Sequence, residues 1–561
     1  MKRRSLLAGA AALACTTAVP ERAEARPASA APDRVARQLR GMSIADRAAQ
    51  TMSVAFHGPR VTPHVERMIR EKHIGGVVLL RENADEAGAF RRLADDLQRL
   101  AREAGIPPLF IATDHEGGPV VRVTRGMALT PAQMALAASP DPEAAVRRSA
   151  TLAARELRSI GANWILAPVA DVNDEPRNPI IGNRSFGSDP ARVGALAAAA
   201  VRAYAAAGLL CCVKHFPGHG SVTVDSHVAL PQSAAARARL DAVELAPFRA
   251  AIAAGAPAIM TAHIRVAALG ASEVPATLSS AVLTDLLRTE LGFRGLVVTD
   301  DLEMGALETV GGQARSGLAS LGAGADYLLF RFDEGAQLEA HRIIVEAAAS
   351  GSLPPSRLES AARRVLETKE RWGVLGPVAA PPFDLTADQA EALDLARGTI
   401  TLLRSGGLPL RGRVLAVSFG RPDIAIAPEG PTLADVVGRI FPGTVVRNLP
   451  SLDDATIRSV TQAALAADVI VVGTFDTLAD PAQRRLAEAL QAVRPTVAVA
   501  LRAPYDIAAF PAVAGYLCAY SGREPALVAA VDVMTGMRPP QGRLPVEIPG
   551  LYPYGAGMRS L

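Results

Sequence analysis

Between residues 51 and 332 the chain repeats one pattern: a short apolar run, a loop of polar residues and glycines, then an Ala/Leu/Arg-rich stretch with helical spacing. Eight such runs occur, at 51–56, 74–80, 108–113, 163–168, 209–213, 258–261, 296–299 and 327–332. Runs this continuously apolar are strands buried on both faces, and their alternation with helices predicts a parallel sheet. Eight repeats in this length predict a closed (β/α)8 TIM-like barrel in preference to an open doubly wound sheet. The helical units are regular. After Pro140-Asp141-Pro142, the residues Val146, Ala150, Ala153, Leu157 and Ile160 fall on one face, and Gly161 ends the stretch.

The pattern breaks at Gly376-Pro377-Val378-Ala379-Ala380-Pro381-Pro382, which reads as a stiff linker. Beyond it, strand-like runs at 412–419, 468–474, 496–501 and 515–520 alternate with helical stretches and predict a smaller α/β sandwich domain. The expected division is a signal peptide at 1–25, a catalytic barrel at 35–375, a linker at 376–394 and a second domain at 395–561. A chain of 561 residues is too long for one compact core, so two domains fit its length.

Composition narrows the class. With 49% apolar and 20% charged residues, the chain is of ordinary globular type. The segment from Met1 to Ala25 holds four of the 59 basic and two of the 56 acidic residues, so the remainder carries a net charge of +1. That removes the electrostatic argument for nucleic acid or an anionic membrane as partner. The same segment has a Lys2-Arg3-Arg4 head, an apolar stretch over 6–19 and Ala23-Glu24-Ala25 before Arg26, the layout of a secretory signal. Export to the periplasm or medium is therefore expected. Arg3-Arg4-Ser5-Leu6-Leu7 also resembles a twin-arginine signal. Leu13-Ala14-Cys15 resembles a lipoprotein box with Ala12 where leucine is usual, so release is preferred over a lipid anchor at Cys15. After cleavage Cys211, Cys212 and Cys518 remain. Neighbours on a strand face opposite ways, so a disulfide framework is not expected. No Cys/His spacing indicates zinc, no cofactor is expected, and no later apolar run is long enough for a transmembrane helix.

In a barrel of this kind the site lies at the C-terminal ends of the strands, so the residues following each run carry the chemistry. The third run leads into Asp114-His115-Glu116-Gly117-Gly118 and then Arg122. The fourth leads to Asp171, read as part of an Asp-Val-Asn turn, and to Gly182-Asn183-Arg184-Ser185-Phe186-Gly187. The fifth leads to Lys214-His215-Phe216-Pro217-Gly218-His219-Gly220 and to Asp225-Ser226-His227, the sixth to His263, the seventh to Asp300. Two arginines, a lysine, histidines and several carboxylates on one rim suit a polyhydroxylated ligand. Asp225 and His227, two apart in an extended loop, can meet on one face, and a carboxylate beside an imidazole favours the protonated form a donor needs.

The Lys-His-Phe-Pro-Gly-His-Gly, Asp-Ser-His and Thr299-Asp300 segments together resemble the bacterial β-N-acetylglucosaminidase branch of glycoside hydrolase family 3. The closing Gly542-Arg543-Leu544-Pro545-Val546 resembles the end of the second domain in two-domain members. The resemblance implies a retaining exo-glycosidase that takes terminal N-acetylglucosamine from cell-wall fragments or chitin oligosaccharides. It implies Asp300 as nucleophile, His227 as general acid and base, and Asp225 as its partner. Asp114, Arg122, Arg184, Lys214, His215 and His263 are the expected sugar-binding residues, His263 being equally readable as a core histidine. Asp301 is expected to be structural. The chain departs from the family pattern at His115, where glutamine is common, and at Pro119, where arginine is frequent. Alternatives are a β-glucosidase or a β-N-acetylglucosaminide phosphorylase of the same family, or a non-catalytic glycan-binding protein. Since the barrel would carry the donor, the second domain is expected to add packing or recognition of long substrates.

Overall fold

The computed structural model describes residues 31–376, 380–419 and 430–561. The signal segment and Cys15 lie outside the described residues. The eight predicted runs become strands β1 (Met52–Val54), β2 (Gly76–Val78), β3 (Phe110–Thr113), β4 (Trp164–Ile165), β5 (in two pieces, Leu210–Cys211 and Val213–Phe216), β6 (Ala258–Thr261), β7 (Leu296–Asp301) and β8 (Tyr327–Phe330). All neighbours pair in parallel. The two outer positions of this sheet are the two pieces of β5, one beside β4 and the other beside β6. The sheet thus meets itself and forms a closed barrel. Closure removes both edges, which is why every strand can be apolar on its two faces.

Alternation sorts these residues into two layers. Phe110, Ala112, Trp164, Leu210, Cys212, Met260, Val298 and Tyr327 fill the interior. Ile111, Ile165, Cys211, Val213, Ile259, Val297 and Leu328 face the surrounding helices. Cys211 and Cys212 therefore sit on opposite faces, buried as free thiols like Cys518. The helix Pro142–Ser159 has its predicted register: Val146, Ala150, Ala153 and Leu157 are buried, Asp141 caps its start, and Gly161 follows at φ +92°.

The second domain is a six-stranded sheet of β9 (Thr401–Ser405), β10 (Val414–Phe419), β11 (Val445–Leu449), β12 (Val469–Thr474), β13 (Thr496–Ala500) and β14 (Gly515–Cys518). Its spatial order is β9-β14-β13-β12-β10-β11, parallel except for β9. Helices cover both faces. One of the two resulting cores includes Ala132, Met134, Ala135 and Ala138 of the barrel, so the domains share buried apolar surface. β9 and β11 add to the four strands expected from the sequence.

The expected linker at 376–394 needs correction. From Leu385 to Arg397 the chain is a helix, capped by Asp384, with Ala392, Leu395 and Ala396 buried. The prolines before it dominate the sequence signal, while Asp384 followed by Leu-Thr-Ala-Asp is an ordinary helix start. Among the described residues no helix is long and apolar enough to cross a membrane.

Candidate active site

The predicted rim residues converge because each ends a barrel strand or begins the loop after it. Asp114 follows β3, and the chain then folds into a tight ribbon in which His115–Gly117 pairs with Val120–Val121. Gly117 and Gly118 make that turn at φ +88° and +55°, a region where side chains are strained. The ribbon returns Arg122 to Asp114, with Nη2 donating to Oδ2 at 2.9 Å. Lys214, in the second piece of β5, reaches Asp114 Oδ1 at 2.8 Å and Glu116 Oε1 at 2.7 Å. Arg184 grips both oxygens of Glu116, at 2.8 and 2.9 Å. One more donation from Arg184, to His215 Nε2 at 3.3 Å, leaves the His215 Nδ1 hydrogen for Asp171 at 2.7 Å.

This floor is a chain of alternating charge. Burial alone would raise the Asp114 carboxyl, but Lys214 and Arg122 outweigh it and hold the group far below the carboxylate range. Glu116 behaves likewise: burial opposes ionisation, Arg184 and Lys214 override it, and the group falls to about 2. Lys214 loses by burial and gains more from Asp114 and Glu116, so its ammonium is held more tightly than usual. Each charge is fixed before a ligand arrives.

Asp300 lies near the C-terminal end of β7 and accepts the Asp301 N–H at 2.8 Å. Burial would raise its carboxyl, yet His215, His263 and His227 outweigh that and keep it ionised. Asp301 differs: burial pushes its carboxyl up to about 7, and its Oδ1 is occupied by the Glu303 N–H at 2.9 Å, where it shapes the turn.

Above the floor runs the loop after β5. Asp225 Oδ1 accepts both the backbone N–H of His227 and its ring Nδ1, each at 2.8 Å. The hydrogen bond to Asp225 raises the affinity of His227 for its proton, burial works against it, and Asp300 adds to it. The His227 side chain is 50% exposed, unlike any group of the floor.

Asp114, Arg122, Arg184, Lys214, His215, Asp225, His227 and Asp300 all line one cavity of 1270 Å³. His263 does not. It is fully buried, with Nδ1 against the Thr277 hydroxyl at 2.8 Å and Nε2 donating to the Asp301 carbonyl at 2.9 Å. Both ring nitrogens are consumed, so the expectation of a sugar contact there is corrected: His263 holds the backbone next to Asp300. Asp171 is more than part of a turn. It is fully buried and binds His215 Nδ1 and the His219 N–H, which makes it the orienting partner of the floor's histidine.

Glu116 belongs to the floor without being among the residues expected there, although it stands two residues past Asp114 on the same ribbon. His115, the departure from the family pattern, is buried with neither ring nitrogen hydrogen-bonded, and burial pushes it down to about 4. The second domain supplies a wall of the cavity that sequence reading does not locate, including Phe475, Asp476, Leu478, Arg502 and Arg523. Among the described residues no group of His, Cys, Asp and Glu is placed to hold a metal ion.

Strand-end carboxylates and cations around a cavity of this size, with an imidazole held by a carboxylate on the overlying loop, define a barrel site for a polyhydroxylated ligand. The comparisons make the class specific. Residues 39–368 match the model of the glycosyl hydrolase family 3 N-terminal domain, and the chain belongs to that family. Beta-hexosaminidase A of Pseudoalteromonas piscicida is 33% identical over 386 residues, which is 64% of each chain. The beta-hexosaminidase of Alkalilimnicola ehrlichii is 36% identical over 283 residues, 50% of this chain and 79% of that one. The solved structure of a family 3 β-N-acetylglucosaminidase from Paenibacillus sp. str. FPU-7 superposes with a TM-score of 0.87 at 33% identity, covering 91% of this chain and 99% of that one.

Proposed function

We propose that the protein is an exported, retaining, exo-acting β-N-acetylglucosaminidase that releases terminal N-acetylglucosamine from cell-wall fragments or chitin oligosaccharides. The observation that carries the reading is the Asp225–His227 contact at 2.8 Å on a loop of the cavity that also holds Asp300. The names of the relatives point the same way. Export rests on the Lys2-Arg3-Arg4 head and the apolar stretch that follows it.

In this reading the floor binds the non-reducing sugar, with carboxylates accepting from hydroxyls and cations donating to them. The Asp300 carboxylate attacks the anomeric carbon as the bond to the leaving oxygen breaks, forming a glycosyl-aspartate ester. His227 Nδ1 is committed to Asp225, so Nε2 delivers the proton to the departing oxygen. The neutral imidazole then takes a proton from water at Nε2. The resulting hydroxide attacks the anomeric carbon and frees Asp300, with net retention.

A phosphorylase reading has one observation in its favour: the group facing the acceptor is an imidazole rather than a second carboxylate, so anionic phosphate is not repelled. One assay separates the readings. p-Nitrophenyl glycosides of N-acetylglucosamine and of glucose are incubated with the mature protein, with and without phosphate. Faster release from the N-acetylglucosaminide and free sugar as product in both conditions are expected. Preference for the glucoside would overturn the substrate assignment, and sugar 1-phosphate in the phosphate arm would overturn hydrolysis.

A further inference from the structure

One amide ties the root of the loop that carries Asp225 and His227 to the loop after β4. Asn178, in the loop after β4, is 7% exposed and lines the cavity. Its Nδ2 points at three carbonyls at the root of the loop: His219 at 2.9 Å, Gly220 at 3.1 Å and Val222 at 2.9 Å. Its Oδ1 accepts from the backbone N–H of Ile180 at 3.0 Å and of Ile181 at 2.7 Å. The oxygen fixes the turn of the β4 loop and the nitrogen fixes the β5 loop to it. The two backbones touch closely there, since any side chain at Gly220 would run into the Val172 carbonyl. Further along, Ser226, between the two members of the pair, is held by His219 Nε2 at 2.9 Å and by the Ala306 N–H on its carbonyl at 3.2 Å.

The other side of the β4 loop belongs to the second domain. Arg502 Nη2 donates to the carbonyl of Pro179, the residue after Asn178, at 2.7 Å, and Arg502 is itself ion-paired to Asp476. Asn173 Nδ2 donates to the Tyr505 hydroxyl at 3.0 Å, and Asn183 Nδ2 to the Tyr520 carbonyl at 2.6 Å. The β4 loop is thus gripped from outside by the second domain while it grips the donor's loop from inside.

We propose that Asn178 is a positioning residue for the His227 proton donor, and that the second domain acts on the reaction through it by way of Arg502 and Pro179. The inference rests on the reading of His227 as general acid. It gives the second domain a function although both reacting groups stand on the barrel. A donor displaced by an ångström loses much of its effect, whereas a nucleophile on β7 is untouched by the change.

The test compares Asn178→Asp, Asn178→Ala, Arg502→Ala and, as reference, His227→Ala. Each is assayed for kcat/KM on an activated nitrophenyl N-acetylglucosaminide and on an unactivated N-acetylglucosamine disaccharide. Asn178→Asp keeps the acceptor for Ile180 and Ile181 but sets a carboxylate against three carbonyls, so it separates the donor function from the turn. Its disaccharide kcat/KM should fall about 10- to 100-fold while the aryl glycoside changes by less than about threefold. Its thermal midpoint should fall, because a buried carboxylate then faces three carbonyls. The readout is therefore the ratio of the two kcat/KM values measured below that midpoint, since a loss of folded protein lowers both values equally and leaves their ratio unchanged. Arg502→Ala should show the same selectivity with a smaller loss. Equal losses on both substrates in Asn178→Asp, beside a selective His227→Ala, would overturn the positioning role and leave the donor assignment standing. A parental Arg502→Ala would overturn the route through the second domain. A His227→Ala without selectivity would overturn the donor assignment itself, and the inference with it.

Discussion

The floor of the cavity and the loop above it are held in opposite ways. On the floor, Lys214 serves two carboxylates, Glu116 takes two cations, and Asp171 holds His215 from behind, all with little exposure. On the loop, His227 keeps one side-chain partner and half its surface in solvent. A saturated, buried network is rigid, since moving one member strands the charges of the others. A two-residue contact at the surface can open and re-form. Under the proposed function the difference would separate two tasks: the recognised end of the substrate would meet a preformed surface, and the proposed proton donor could yield to groups of different size.

The largest effect is expected where floor and loop meet. Asp300→Asn keeps the shape of the side chain and one oxygen to accept the Asp301 N–H but removes the carboxylate proposed to attack. Turnover should fall on the order of 10⁴- to 10⁶-fold with the thermal midpoint retained. Asp301→Asn should cost far less, because that carboxyl caps a turn. Near-parental turnover in Asp300→Asn would sink the assignment of β7 as the nucleophile strand.

The comparison itself is broken most directly by one variant on each side. His227→Ala should leave the thermal midpoint unchanged and lower disaccharide cleavage by about 10²- to 10⁴-fold, with far less effect on initial cleavage of activated aryl glycosides. Lys214→Met strands Asp114 and Glu116 with one arginine each. It should weaken substrate binding and also destabilise the fold, by about 3–5 kcal/mol for a broken buried pair. Denaturant unfolding alongside the kinetics checks both. If His227→Ala destabilised the protein and Lys214→Met did not, the contrast between rigid floor and adaptable loop would be wrong.

The same contrast explains what the sequence could convey. Strands buried on both faces leave uninterrupted apolar runs, so all eight barrel strands were legible, even β4, which shrinks to Trp164–Ile165. β11 is an edge strand with Val445 46% exposed, and an edge need not be apolar. The strand-end rule found Asp114, Arg122, Arg184, Lys214, His215 and Asp300 because chain order alone brings them to one rim. It failed at His263, since position cannot tell whether Thr277 and the Asp301 carbonyl already occupy the ring. It also passed over Asp171, whose partner His215 lies 44 residues on. Asn178 and the wall from the second domain depend on packing between segments far apart along the chain, as Arg502 and Pro179 are, which no local spacing records.

Among the variants of the floor and of the Asp225–His227 pair, the smallest expected effect is also the one that tests the loop's electrostatics. In the proposed mechanism the first chemical step needs Asp300 ionised and His227 protonated. The acidic limb of the disaccharide kcat/KM profile should therefore lie below the ordinary aspartate value of 3.8, because Asp300 is held low by its neighbouring imidazoles once burial is overcome. The alkaline limb should lie above the ordinary imidazole value of 6.5, because the hydrogen bond to Asp225 outweighs burial at His227. Asp225→Asn keeps a hydrogen-bonding side chain and removes the charge. His227 then gives up its proton more easily, so the alkaline limb should move to lower pH while the acidic limb, set by Asp300, stays in place. At the pH optimum the loss should be about 10- to 100-fold, less than for removal of the imidazole. The floor offers no comparable shift, since Asp114 and Glu116 remain ionised throughout that range. A profile in Asp225→Asn that kept its alkaline limb would mean that a group other than His227 carries the proton, and the loop would be reduced to a cover over the bound sugar.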